Sequence, residues 1–187
     1  MPTKELELLL AGHCAPVLMG EKAANLVSLS RSVFPDPQTV MQYCSRVLGQ
    51  SGICAEILCR CERRALLFLY RPDRLHACLA HPTARQILHE TGYPRFGKLS
   101  EQIDFLRSRF EQVACPHEIG LFLGYPPQDV LAFIRTGGAG CKLCGYWKVY
   151  GDVPRAKRIF TRYDACRAHL CGRLARGQSL HEALQSA

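Results

Sequence analysis

Cys14 is the first residue of the chain whose type and position suggest a nucleophile. It stands in the run Gly-His-Cys-Ala-Pro at 12–16, and Pro16 predicts that a helix begins there, because a proline in the first helical turn costs no hydrogen bond. A helix N-terminus favours the thiolate over the thiol. We therefore expect Cys14 to be nucleophilic, with His13 beside it and Lys22 two turns further along. The alternative is a cysteine packed in a helical core.

His117 is the candidate general base for that thiol. Cysteine before histidine in the chain is also the order of papain-like enzymes, but their upstream glutamine and their CGSCW context are both missing here. Glu118 is a candidate third member, although in a strand its side chain would point away from that of His117. Asp129 and Asp152 are alternatives, and both also fit helix caps or first-turn acids.

Four residues have the spacing of a structural metal site. Cys141 and Cys144 form a C-x2-C pair before Gly145, and Cys166 and His169 follow after a long gap. Two residues between ligands let one turn present both sulfurs to a tetrahedral ion, so zinc or iron is a possible cofactor. Plain packing explains Cys166 and His169 equally well, and Cys171 competes for the same role.

The net charge of +8 is concentrated in one segment. Residues 135–176 hold ten basic and two acidic side chains, and the rest of the chain is balanced. A basic helix from Arg155 to Arg176 could meet an acidic protein or phosphates, or be a solvated charged face. Residues 116–135 also fit a helix-turn-helix, but Gln128 and Asp129 offer few base-reading donors, which argues against nucleic acid as a partner.

The elements that must position these residues are mostly helices. Apolar spacing predicts them at 3–11, from Cys14 through Leu29, from a cap at Asp36 or Thr39 to Leu48, and then at 75–79, 83–90, 100–113, 126–138 and 155–176. Residues 53–70 read as a β-hairpin and 145–151 as a strand, while 117–124 fits either element. The predicted fold class is α+β, helix-rich with a small antiparallel sheet.

Length and composition favour one domain over 1–187, with a basic C-terminal helical section at 153–187. The chain has 187 residues, 48% of them hydrophobic. We find no leader peptide and no run long enough to span a bilayer, so we expect a cytoplasmic protein without a membrane partner. Its eleven cysteines should then be reduced.

Four stretches carry a resemblance over nearly the whole chain. They are HCAPVLMGEKAANL at 13–26, LLFLYRP at 66–72, PHEIGLFLGYPPQDVLAFI at 116–134 and GYWKVYGD at 145–152. They resemble an uncharacterised bacterial family, a domain of unknown function common in anaerobic Firmicutes. Genes of that family often lie beside genes for flavodoxins and iron transport, which implies a role in anaerobic cytoplasmic metabolism. The resemblance also implies a papain-like fold and similarity to amide-forming cysteine enzymes.

Carried over by position, the resemblance implies a nucleophile at Cys14 and a base at His117. Polar residues of the same motifs could line the site, namely His13, Lys22, Glu118, Tyr125 and Lys148. The leading prediction is acyl transfer on a small-molecule or carrier-bound amide or thioester, which needs no cofactor. The second is a metal-binding or redox-partner protein that docks an acidic protein such as flavodoxin. Nucleic-acid binding through 116–135 is the third.

Overall fold

The computed structural model describes residues 3–94 and 97–185, and its contacts form two compact units. Unit 1 comprises the chain up to Pro72 and from Arg162 onward, and unit 2 runs from Asp73 to Thr161. In chain order the elements are α1 (Thr3–Leu18), β1 (Ala24–Ser30), α2 (Pro37–Leu48), β2 (Cys54–Arg60), β3 (Arg64–Tyr70), α3 (Pro72–Leu79), α4 (Pro82–Glu90), α5 (Leu99–Gln112), α6 (Ile119–Phe122), α7 (Pro127–Thr136), β4 (Leu143–Cys144), β5 (Lys148–Val149), α8 (Val153–Ala175) and α9 (Leu180–Gln185). The predicted α+β class with a small antiparallel sheet is confirmed.

A three-stranded antiparallel sheet organises unit 1. Its order is β1-β3-β2, so the predicted hairpin of β2 and β3 is confirmed, with β3 in the centre. The alternating residues of β1 explain its place: Val27 and Leu29 are buried, while Ser28 and Ser30 are exposed. This period of two is that of a half-buried strand. The helix predicted through Leu29 is therefore wrong.

Helix α1 passes through the point where a second helix was predicted to begin. Gly12 and Pro16 both lie inside it, and each weakens a helix in isolation. Helix α1 nevertheless buries residues on almost every side, among them Leu10, Cys14 and Val17. Burying one large apolar side chain stabilises the fold by about 1.5–3 kcal/mol, and several such side chains together outweigh those local costs. The predicted helix start at Cys14 is thus wrong.

The core of unit 1 lies between the sheet and the helices α1, α2 and α9, together with the end of α8. Leu10, Leu29, Leu48, Leu67 and Leu170 are fully buried in it. Asp36 caps α2, as predicted, because its carboxylate accepts hydrogen bonds from the backbone N–H groups of residues 38 and 39.

Unit 2 is built mainly of short helices around an aromatic cluster. The ring of Tyr93 contacts Phe105 at 4.5 Å and Phe122 at 5.7 Å between centroids. The late strand predicted at 145–151 is only the two-residue β5, paired with β4. In the ambiguous segment 117–124, the structure forms the single turn α6. No helix in the described part of the chain has the length and apolarity needed to cross a membrane.

Candidate functional site

Unit 2 contains a cavity of about 260 Å³ with mostly apolar walls. Its lining includes Cys115, His117, Tyr125, Phe133, Trp147 and Lys148. All but Cys115 lie in the segments 116–134 and 145–152. The two late motifs therefore come together in space, although ten residues separate them in the chain.

Helices α6 and α7 pack closely against each other at one side of the cavity. Gly120 lies so close to α7 that a Cβ atom there would stand 2.9 Å from Cγ2 of Val130 and 3.2 Å from Cδ2 of Tyr125. Any larger residue at 120 would push these two lining residues aside. The contact of Gly120 with Val130 is also the one that a helix-turn-helix requires, but α6 has only four residues.

Asp129 holds the β4–β5 hairpin against α7. Its Oδ2 accepts a hydrogen bond of 2.8 Å from the indole Nε1 of Trp147, and its Oδ1 accepts bonds from the backbone N–H groups of Tyr150 and Gly151. The side chain is buried, and three donors satisfy its charge. Asp129 is therefore not presented to a DNA groove, and it positions Trp147 in the cavity wall.

Aromatic rings form the cavity walls. Tyr125 stacks on Trp147 at 5.4 Å between centroids, with 28° between the ring planes. Burial raises the pKa of the Tyr125 phenol to about 12, so it stays neutral near pH 7. The imidazole of His117 meets Phe133 edge-on at 5.1 Å. These flat surfaces favour a planar or apolar occupant.

Lys148 contributes a positive charge to this apolar lining. Its Nζ donates a hydrogen bond of 2.8 Å to the carbonyl oxygen of Gly138 and lies 5.8 Å from the centroid of Phe133. Gly138 has φ +87°, and a Cβ atom there would stand 2.9 Å from that same Nζ. Glycine at 138 is thus what lets the backbone approach and orient the ammonium group.

Glu118 is directed into the core of unit 2. Its carboxylate accepts a hydrogen bond of 2.8 Å from Nε of Arg109 and a longer one from the hydroxyl of Tyr93. The cavity lining does not include Glu118. The structure therefore gives this residue an ion pair between α5 and the start of α6, and not a contact with His117.

Cys14 lies in unit 1, one turn before the end of α1. It is fully buried, and burial raises the pKa of its thiol to about 12, an effect that the nearby Lys22 only partly offsets. The activation predicted for Cys14 needed a helix N-terminus and access to solvent. The structure provides neither, because the strand β1 and α2 close over this part of α1.

Two other predicted site residues, Lys22 and His13, also lie in unit 1. The Lys22 ammonium donates to Oδ1 of Asn25 and lies 5.9 Å from the centroid of the Tyr163 ring. Burial lowers the pKa of Lys22 to about 8. The side chain of His13 is exposed, and its carbonyl oxygen accepts a bond from the Asn25 amide. The bond from Asn25 to His13 joins β1 to α1, and Lys22 connects β1 with α8.

The predicted metal ligands are divided between the two units. Cys141 and Cys144 belong to unit 2, and Cys166 and His169 belong to unit 1. Cys144 and His169 are exposed, whereas Cys166 is buried. Over residues 3–94 and 97–185, no three His, Cys, Asp or Glu side chains are grouped so that they could hold a metal ion. Zinc or iron binding stays a prediction.

Sequence reasoning missed several residues of the cavity, notably Cys115, Phe133 and Trp147. The available signal was the aromatic content of the motifs at 116–134 and 145–152, which we interpreted as local secondary structure. Conversely, His117, Tyr125 and Lys148 were predicted site residues, and the structure brings them to one cavity.

The chain is thus a helix-rich α+β protein with a pocket of small-molecule size in unit 2. The family model described as "Protein of unknown function (DUF3793)" matches residues 10–184, and the chain belongs to that family. No curated protein and no solved structure matches the chain. The predicted membership of an uncharacterised family is thereby confirmed, while a papain-like relationship stays a prediction.

Proposed function

We propose that the protein binds a small, flat, mostly apolar molecule with one anionic group, such as an aromatic carboxylic acid, in the cavity of unit 2. The observation that carries this proposal is the cavity itself, an aromatic pocket with a lysine ammonium at its wall. Concave sites lined by aromatic side chains and a few polar groups are where proteins bind small ligands.

The size of the cavity limits the ligand. Pockets for drug-sized ligands measure roughly 300–1,000 Å³. At about 260 Å³ this one is just below that range, which suits a single ring system with a short substituent. The rings of Tyr125, Phe133 and Trp147 supply surfaces on which such a ring can pack.

The charges of the lining favour an acid over a base. Asp129 is the lining carboxylate, and three donors already satisfy it. Lys148 carries three N–H donors, of which one is bound to Gly138, so the ammonium can also pair with a ligand carboxylate. His117 adds a second polar group at the exposed side of the cavity.

Trp147 makes the test direct, because it is the single tryptophan of the chain and lines the cavity. We expect benzoate or phenylacetate to change its fluorescence in a saturable manner. The uncharged amides of the same acids should bind at least about tenfold more weakly, the loss expected for one charge-assisted hydrogen bond. The absence of any saturable change across such a panel would contradict the proposal.

Two lysine variants separate a specific role of Lys148 from general electrostatics. Lys148→Met should weaken binding of the acid about tenfold or more, whereas Lys142→Met should leave it unchanged. Lys142 is exposed beside β4 and lies outside the lining. Each variant loses one lysine, so the two have the same net charge. Equal affinities of the two variants would rule out pairing with Lys148.

The functions predicted from the sequence are separate from ligand binding in this cavity. Acyl transfer through Cys14, docking of an acidic protein such as flavodoxin, and nucleic-acid binding through 116–135 all stay predictions. The basic residues exposed along α8 support an acidic partner, and the surroundings of Cys14 do not support a nucleophile there.

A further inference from the structure

We propose that Cys115 accepts an acyl group from a small acyl thioester held in the unit 2 cavity. The inference rests on the proposed function, because the acyl part of the thioester would occupy the same aromatic pocket. It assigns a reactive thiol that motif reasoning did not single out.

Cys115 and His117 are two residues apart in the chain and belong to the same cavity lining. The two residues flank the buried Pro116, both line the cavity, and both are exposed to solvent. Cys115 is a free thiol. A thiol, an imidazole and an apolar pocket are the components that thiol-based acyl transfer needs. Cys14, by contrast, is fully buried in the other unit.

The apolar lining would hold the acyl group beside this thiol. Ile119, Val130 and Phe133 line the same cavity as Cys115 and His117. The His117 imidazole and the Lys148 ammonium both lie against the Phe133 ring, so an acyl group packed there would present its carbonyl to both, with the Cys115 thiol in the same lining. Holding the reacting groups together in this way supplies part of the rate enhancement.

The proposed step is an exchange of one thioester for another. His117 takes the proton of the Cys115 thiol, and Sγ bonds to the carbonyl carbon of the bound thioester. The bond from that carbon to the leaving sulfur then breaks, and the leaving thiolate receives the proton from His117. One thioester and one thiol are consumed and one of each is formed, so the step needs no oxidant or reductant.

The test uses the full chain and the N-acetylcysteamine thioester of benzoic acid. We expect intact-mass analysis to show the gain of one benzoyl group, and peptide mapping to place it on Cys115. Cys115→Ser should abolish that gain, and His117→Gln should slow it about 100-fold, the typical contribution of a general base. Cys144→Ser, which removes an exposed thiol outside the lining, should react like the wild type.

Two results would overturn this inference. One is equal acylation of Cys115 and of exposed thiols away from the cavity, such as Cys54 and Cys61. The other is benzoate binding, seen at Trp147 in both the wild type and Cys115→Ser, with no benzoyl transfer to either. The second result would leave the proposed function standing, whereas a failure of benzoate and its analogues to bind would remove both.

Discussion

At the scale of single residues, access to water decides which cysteines can react. Cys14 and Cys115 have similar sequence contexts, because each has a histidine within two residues, His13 and His117 respectively. Cys14 is covered by the core of unit 1, and Cys115 is exposed at the cavity of unit 2. The thiolate is the reactive form, and burial disfavours it.

We predict that Cys14 is among the slowest thiols to be alkylated. With its pKa raised to about 12, it holds about 1,000-fold less thiolate at pH 7 than a thiol at the ordinary value of 9.0. Iodoacetamide applied to the folded protein, followed by peptide mapping, should first modify the four exposed thiols, which are Cys54, Cys61, Cys115 and Cys144. Labelling of Cys14 ahead of these residues would instead support the nucleophile predicted there.

Lys22 is a buried base whose pKa makes the stability of the fold depend on pH. Because its pKa is lowered from 10.5 to about 8 in the folded protein, the unfolded chain binds more protons between these values. Stability therefore rises with pH through this window, and Lys22 should contribute about 1 kcal/mol more at pH 9 than at pH 7.

Lys22→Met should remove this pH-dependent contribution. We expect the difference in unfolding free energy between the wild type and Lys22→Met to shift by about 1 kcal/mol between pH 7 and pH 9 in urea titrations. The raised pKa of Cys14 acts in the opposite direction, but between pH 7 and pH 9 it costs less than about 0.5 kcal/mol, because the thiol of the unfolded chain is at most half ionised there. Lys4→Met changes an exposed lysine of α1 and should show no such shift. An identical pH profile for both variants would refute the role of Lys22.

At the scale of elements, buried polar side chains connect the short pieces of unit 2. Helix α6 has four residues and could not persist alone, since isolated helices need roughly 12–15 residues. The ion pair of Arg109 with Glu118 anchors its start to α5, and Asp129 anchors the β4–β5 hairpin to α7. The cavity depends on these anchors because they place the residues that line it.

We predict that Glu118→Gln destabilises the protein by about 2–3 kcal/mol, the cost of losing a hydrogen bond between charged groups at a buried site. Glu111→Gln changes an exposed glutamate of α5 and should cost less than about 0.5 kcal/mol. Urea unfolding followed by circular dichroism would measure both. If Glu118→Gln is as stable as Glu111→Gln, then Glu118 is free for another role, including the catalytic one that the sequence suggested.

At the scale of the whole molecule, charge is distributed unevenly along the chain. The net charge of +8 lies within residues 135–176, where α8 exposes Arg155, Arg158 and Arg162. A concentrated positive region attracts anionic surfaces at a distance, and salt screens that attraction. This distribution is the physical basis of the predicted acidic partner.

We predict that replacing Arg155, Arg158 and Arg167 by glutamine lowers the salt concentration at which the protein elutes from heparin. Replacing Arg63, Lys98 and Arg85, which are exposed elsewhere, should lower it less, although both variants lose three charges. The comparison holds net charge constant and changes only its position. Equal elution of the two variants would show that the basic segment has no special role in binding anions.

The sequence alone determined the elements whose signals are local. The cap at Asp36, the hairpin of β2 and β3, and α5 with its inward face were predictable because capping, alternation and helical spacing act over a few residues. His117, Tyr125 and Lys148 were predictable as polar or aromatic members of long motifs. The family membership followed from the same motifs.

Only the tertiary structure decided which residues are buried and which meet at the cavity, because burial is a property of contacts between distant residues. Helix α1 continues through Pro16 because the sheet and α2 bury it, and β1 is a strand because β3 offers it seven paired positions. The same contacts bury Cys14 and raise the pKa of its thiol, whereas its sequence context suggested a lowered one. The packing of α6, α7 and β5 in unit 2 placed Cys115 and Trp147 at one cavity, which no spacing in the chain could indicate.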